Sequence, residues 1–222
     1  MSSSPSSFDQ ICREVRERFP SAFGKLPSPD RGAVEGVDSW VESCLGGAGM
    51  QQVCAVPRRS SGSLELLLKL VAETRRRQMR MVWIDPCDCL DPVTAFEVPP
   101  RHLLWARGGG LSTAVRVADA VLRDENFPFV CLDGVLLRQE DWRGVPSAQW
   151  YRLQRLAHRR GATVVLWTPP VTIPGVGRRW SLSCHWRFPD CFSASGDELR
   201  GEVSVLAEEE EAAHEPAGQR AG

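Results

Sequence analysis

Four short apolar runs, at 52–56, 81–85, 129–133 and 163–168, are separated by amphipathic stretches of helical length. This alternation constrains the fold more than any other feature of the chain. A strand that is apolar along its whole length has no face for water, so both faces of its sheet must be covered. Strands alternating with helices imply parallel pairing, because each crossover helix returns the chain to the same sheet edge. The expected fold is therefore α/β, three-layered, with a mostly parallel central sheet and helices on both faces. The expected helices span 37–45, with Trp40 and Cys44 inward; 64–79, with Leu64, Leu67, Leu68 and Val71 on one face; 112–123, capped by Ser112 or Thr113; and 147–159. A short strand is expected at 103–106. The pattern after Pro169 and Pro170 gives a strand at 180–188 and one more at 202–206.

The 222 residues suffice for one such domain with tails. Three segments are expected: an N-terminal arm at 1–35, the core at 36–195 and an acidic disordered tail at 196–222. Within the arm, Phe8, Ile11, Val15 and Phe19 form one helical stripe before Pro20. Twelve residues make a poor lone helix, so this stripe is expected to dock on the core, on a partner or on a second copy. Residues 207–222 carry five Glu and one Arg, a charge of −4; since the whole chain is −1, the remainder is +3. The Glu-rich stretch of the tail from Ala207 is expected to be solvated, dispensable for folding and able to compete electrostatically with phosphate. No apolar run reaches the roughly 20 residues of a membrane helix. MSSSPSSFDQ lacks the basic start and apolar stretch of a secretory signal. A cytoplasmic location is expected, with the eight cysteines reduced.

The chemistry-bearing signals begin after the first strand. Val56-Pro57-Arg58-Arg59-Ser60-Ser61-Gly62-Ser63-Leu64 occupies the strand–loop–helix setting of a phosphate-binding loop, G-x-x-x-x-G-K-[ST]. Pro57 stands at the first Gly, Ser63 at the Lys and Leu64 at the hydroxyl residue; Gly62 alone fits. Taken alone, Ser60, Ser61 and Gly62 also suit an ordinary strand–helix turn. Asp85, Asp91 and Asp133 fall at or just beyond strand C-termini, the edge where α/β sheets bind ligands. They suit either a remnant Mg²⁺-nucleotide site or the capping and turn positions of the fold. Cys87-x-Cys89 and Cys184-His185 with Cys191 lack the paired C-x₂₋₄-C spacing of a metal site, so no metal and no cofactor are expected. His102 and His158 have no nucleophile in a catalytic arrangement. Arg75, Arg76, Arg77 and Arg80 suit the negative end of a helix dipole and a solvated face. Arg178, Arg179 and Trp180, with Trp186 and Arg187, interleave guanidinium and indole; this suits stacking on single-stranded DNA or a protein interface. Trp142, Trp150, Trp180 and Trp186 are expected to be partly exposed.

Met81-Val82-Trp83-Ile84-Asp85-Pro86-Cys87-Asp88-Cys89-Leu90-Asp91-Pro92 resembles the second core strand of the bacterial RecA recombinase family, in which an apolar run precedes I-D-A-E-H-A-L-D-P. Asp85, Leu90, Asp91 and Pro92 match in register. Phe129-Val130-Cys131-Leu132-Asp133 then looks like the Walker B strand. The likeness covers roughly residues 36–170. Cys87 stands where that family has its catalytic Glu, and Thr94 where an aromatic residue stacks on adenine. Together with the altered loop, these departures resemble the ImuA/SulA-like group of nucleotide-defective RecA-like proteins. The resemblance implies a non-catalytic accessory protein of the bacterial SOS response, acting in translesion synthesis beside a Y-family-like polymerase homologue. It leaves a DNA-dependent ATPase with an atypical loop, or a SulA-like cell-division inhibitor, as the other classes.

Overall fold

The computed structural model describes residues 34–55, 62–91, 95, 96, 100–184, 198 and 203–208. The arm helix at 8–19, Pro57, Ser60, Ser61, Trp186, Arg187 and the Glu-rich segment after Glu208 lie outside these residues. The described strands are β1 (Val34–Glu35), β2 (Gly49–Cys54), β3 (Met81–Asp85), β4 (Leu103–Arg107), β5 (Phe129–Asp133), β6 (Thr163–Thr168), β7 (Arg178–Cys184) and β8 (Val203–Glu208). The helices are α1 (Val37–Gly46), α2 (Ser63–Arg76), α3 (Gly110–Asp124), α4 (Gln139–Gly144) and α5 (Ser147–Arg160).

The strands form one sheet in the order β1-β8-β7-β2-β6-β5-β3-β4. Every pair from β7 to β4 is parallel, while β8 runs antiparallel to β7 and β1 antiparallel to β8. The period-two geometry of strands divides the core between two faces. Met81, Trp83, Phe129, Cys131, Val165 and Trp167 pack with α1 and α2 on one face. Val82, Ile84, Val130, Leu132, Val164 and Leu166 pack with α3, α4 and α5 on the other. The result is the expected three-layer α/β arrangement.

Local differences from the sequence reading have physical causes. β2 starts at Gly49, three residues before the expected strand, because its polar residues Gln51 and Gln52 are buried and satisfied. Gln52 Nε2 donates to Thr168 Oγ1 at 2.8 Å, and Trp180 Nε1–H donates to Gln51 Oε1 at 3.4 Å. α2 buries Leu66, Leu67, Leu70, Val71 and Thr74, whereas Leu64 lies in the first turn and is 48% exposed. α3 begins at Gly110, two residues before the expected cap; Gly109, with φ 86°, supplies the left-handed entry that a side chain resists. Trp142, Trp150 and Trp180 are buried at 1%, 1% and 3% exposure, which corrects the expectation that they are partly exposed. Trp142 and Trp150 stack at 5.7 Å, and Trp180 belongs to the core on the α1/α2 face. β8 covers most of the strand expected at 202–206 and runs two residues further, into the stretch expected to be solvated tail. Ala207 pairs with Trp180 and Glu208 with Arg179, so a tail cut at Ala207 would remove sheet.

Candidate functional site

In a parallel sheet the loops after the strand C-termini gather at one edge, and a crevice opens where neighbouring connections leave to opposite faces. Here the connection after β2 leads to α2 on one face, while that after β5 leads to α4 and α5 on the other, with β6 between. The start of α2, the end of β5 and the loop after β3 therefore share this edge.

At the start of α2, Gly62 is buried and left-handed (φ 72°), its carbonyl accepting the Leu66 N–H at 3.1 Å. A methyl group built on Gly62 would lie 2.5 Å from a Val203 methyl carbon. The helix start is thus packed against hydrocarbon from β8. Ser63 follows as the first helical residue and Leu64 projects outward. Neither provides the charge that a Lys brings to a phosphate at this position.

Asp85 is fully buried at the end of β3 and is occupied by its own loop. Its Oδ2 accepts the backbone N–H groups of Cys89 and Leu90, both at 3.0 Å, and its backbone carbonyl accepts Gly108 N–H at 2.8 Å. These bonds are the contacts of a turn-organising carboxylate. Asp91 is exposed further along the loop, its carbonyl accepting the Ala95 N–H at 2.9 Å.

Asp133, at the end of β5, differs from both. Burial pushes its carboxyl up to about 6, an N–H from Val135 opposes this, and the Asp85 charge adds to the rise. A nearby cation would have the opposite effect. Asp141 of α4, which the sequence reading passed over, joins the same negative field. Burial raises the Cys87 thiol, and Asp85, Asp133 and Asp141 raise it further. Cys89 is pushed up to about 12 by burial, Asp133 and Asp85. Both sulfurs are therefore protonated at neutral pH and are poor nucleophiles. Cys87, standing at the expected place of a catalytic Glu, offers no base.

The described loops after β3, β4 and β5, with α4, carry Asp85, Asp88, Asp91, Asp133, Glu140 and Asp141 against Arg107, Arg138 and Arg143. Six carboxylates against three guanidiniums leave this described part of the edge negative; Arg58 and Arg59, in the loop before α2, lie outside the described residues. Arg107, the cation nearest the β3 loop, is already paired with Asp88 at 2.7 Å and lies 4.7 Å over the Trp105 ring. Among the described residues no cluster of three or more His, Cys, Asp or Glu side chains is arranged to hold a metal ion. His185 and Cys191 lie outside them.

The raised carboxyl of Asp133 gives a pH test. Its folded value, about 6, lies above its ordinary 3.8, so the fold favours the protonated form. Stability from this group is full below about pH 4 and is lost as pH rises through 6. Asp133→Asn mimics the protonated carboxyl. It should stabilise the chain at pH 7 by on the order of 1–3 kcal/mol and have little effect at pH 4. Urea denaturation of both proteins at the two pH values measures the difference.

The second sequence-predicted group is not a continuous surface. Arg178 donates to Ser43 Oγ at 2.7 Å, tying β7 to α1. Arg179 points to the opposite face, donating to Gln52 Oε1 at 3.4 Å and to the Ile173 carbonyl at 3.0 Å. Trp180 is buried, so it has no ring face for a base to stack on. Trp186 and Arg187 fall outside the described residues. No protein-family model matches the chain, and no curated protein matches it. No helix among the described residues is long and apolar enough to cross a membrane.

Proposed function

We infer that this chain is a RecA-like protein that has lost nucleotide chemistry and serves as a non-catalytic accessory factor in bacterial DNA damage tolerance. In this reading it works through protein contacts with a Y-family-like polymerase homologue during translesion synthesis. The observation that carries the reading is the character of the sheet's ligand-binding edge. Its described loops after β3, β4 and β5 are negative, its Asp85 accepts backbone N–H groups, and Asp133 has a raised carboxyl value. Triphosphate binding needs the reverse: cations, free backbone donors and a carboxylate held ionised by Mg²⁺. The fold retained around a negative edge supports a scaffold role. The match of Asp85, Leu90 and Asp91 to the RecA-like pattern supplies the choice of pathway.

Each missing charge-assisted phosphate contact forfeits on the order of 1.5–3 kcal/mol, and several are missing together. Isothermal titration of the full chain with Mg-ATP is therefore expected to show no binding at micromolar concentrations. Size-exclusion chromatography with a Y-family-like polymerase homologue is expected to show co-elution. Micromolar Mg-ATP affinity would overturn the nucleotide-defective reading and favour a DNA-dependent ATPase. Absence of co-elution, with binding to a cell-division protein instead, would favour the inhibitor class.

A further inference from the structure

The helix layer formed by α3 and α5 carries mostly one sign of charge. α5 has four arginines, Arg152, Arg155, Arg159 and Arg160, and no Asp or Glu. α3 has Arg116 and Arg123 against Asp119 and Asp124, and Glu125 follows directly after it. Six guanidiniums thus stand against three carboxylates. The two helices pack side by side on one face of the sheet. They run in the same direction, because each returns the chain from the end of one parallel strand to the start of the next. Arg152 therefore meets Asp119 midway along the pair, and Arg160 meets Glu125 at its end.

Between the helices lies a groove of about 270 Å³, lined by Val115, Arg116 and Asp119 of α3 and by Gln149, Arg152 and Leu153 of α5. Val115 and Leu153 are buried and give it an apolar floor. Asp119 is the one carboxylate in the lining, and it is already held twice. Arg123 Nε lies 2.8 Å from its Oδ2, and Arg152 Nε lies 2.8 Å from its Oδ1. Arg116, Arg155 and Arg159 are exposed and make no ion pair with any described residue. Helical spacing places Arg116 and Arg123 on one stripe of α3, and Arg152, Arg155 and Arg159 on one stripe of α5. The groove is thus a short apolar trough bordered by arginines on both helices.

We propose that this groove docks an acidic amphipathic helix of a partner protein, with one apolar side chain on Val115 and Leu153 and carboxylates on Arg116, Arg155 and Arg159. Two helices packed side by side leave a trough that the side-chain ridge of a third helix fills. The anchors of such a helix recur at i, i+3, i+4 and i+7. Arg152, Arg155 and Arg159 follow the same spacing, so carboxylates on successive turns of the partner meet successive guanidiniums. Guanidinium forks bind carboxylates in a bidentate geometry. Charge complementarity alone also fits a phosphate polymer, but the lining does not: Asp119 puts a negative charge in the groove, and the apolar floor gives a phosphate nothing to bond. A helix with one aliphatic anchor uses both the floor and the arginines. The inference goes beyond the accessory role and does not depend on it, because it rests only on α3 and α5.

The test is fluorescence anisotropy of the full chain with a labelled helical peptide of about 18 residues, built from Glu, Ala and Leu with the Leu at helical spacing. Binding is expected at low salt and should weaken as salt rises. Arg155→Gln/Arg159→Gln should lose about fivefold in affinity, with a shallower salt dependence, because exposed ion pairs are individually modest. Gln149→Trp fills the groove from an exposed position without changing charge; it should lose about tenfold with the salt dependence unchanged. A peptide with its Leu replaced by Ala should bind about tenfold more weakly to the unaltered chain. Arg75→Gln/Arg80→Gln removes the same charge from exposed positions outside the groove and should cost little. Circular dichroism and thermal melting check that each variant is folded. Failure of the unaltered chain to bind at low salt would overturn the proposal. So would full affinity in Gln149→Trp, which leaves the groove unused, or an equal loss in Arg75→Gln/Arg80→Gln, which indicates diffuse charge. Equal competition by an oligothymidylate of matched charge would make the face a phosphate site instead. A tenfold gain on removing residues 209–222 would make the chain's own Glu-rich end the occupant, against the proposal. The Mg-ATP and co-elution measurements read the accessory role separately, so either reading can fall without the other.

Discussion

Asp85→Ala is expected to destabilise the chain by about 3 kcal/mol at pH 7, since two hydrogen bonds to a buried charged acceptor are lost and their donors are left unpaired. Oδ2 of Asp85 takes the N–H groups of both Cys89 and Leu90 at 3.0 Å in a fully buried position. The loop from Pro86 to Leu90 is organised around that carboxyl group. For a domain of this size each kcal/mol moves the melting temperature by about 2–4 °C, so a fall near 10 °C is expected. Asp85→Asn keeps one oxygen and should cost about half as much, because a neutral acceptor is weaker than a carboxylate. A Mg²⁺ ligand behaves differently: its removal relieves repulsion among Asp85, Asp133 and Asp141, leaving stability unchanged or raised while abolishing metal binding. Urea denaturation of wild type and both variants, with and without Mg²⁺, separates the two. Unchanged stability in Asp85→Ala would show that the carboxylate does not hold the loop.

Trp142→Ala is expected to cost about 3–5 kcal/mol, the range for deleting a large buried aromatic side chain. Trp142 is 1% exposed on the short helix α4, stacked on Trp150 at 5.7 Å with 17° between the ring planes. Its Nε1–H donates to the Gly134 carbonyl at 3.3 Å, directly after Asp133. The indole therefore joins α4, α5 and the end of β5. Deleting it opens a cavity and removes one of two hydrogen bonds to the Gly134 carbonyl, which still accepts the Leu137 N–H at 3.0 Å. Trp142→Phe should restore much of the packing but not the hydrogen bond, with a cost of about 1–2 kcal/mol. Melting curves and tryptophan fluorescence of the two variants give the comparison. A loss below 1 kcal/mol in Trp142→Ala would place the indole outside the cooperative core.

The strands β3, β5 and β6 were legible residue for residue, because their runs are apolar on both faces and leave no other place for the segments. Their separation by amphipathic helices likewise determined the parallel pairing and the two-sided core. β2 begins three residues before the expected run at 52–56, and its Gln51 and Gln52 are both buried. Only the arrival of Thr168, Cys44 and Trp180 from distant segments makes their burial tolerable. The tryptophans show the same limit. An indole carries one polar atom on a large apolar body, and its local sequence does not say whether a partner or cover will come from elsewhere. Trp142, Trp150 and Trp180 are buried by elements 8 to 129 positions away.

The candidate site divides in the same way. Sequence alone determined that Ser63 and Leu64 stand where a Lys and a hydroxyl would be needed, since identity at a fixed spacing requires no fold. It also placed Asp85 and Asp133 at strand ends. Only the tertiary structure decided that Asp85 is spent on its own loop, that Asp133 is held in a partly buried, negative setting, and that Val203 packs on Gly62. The same holds for the groove between α3 and α5. Arg116, Asp119 and Arg152 share no motif, and two helices packed side by side on one face of the sheet are what bring them together. Periodicity is a property of neighbours along the chain, so it specifies elements. The electrostatics of an edge depend on neighbours across the sheet, and these exist only once the strands have taken their order.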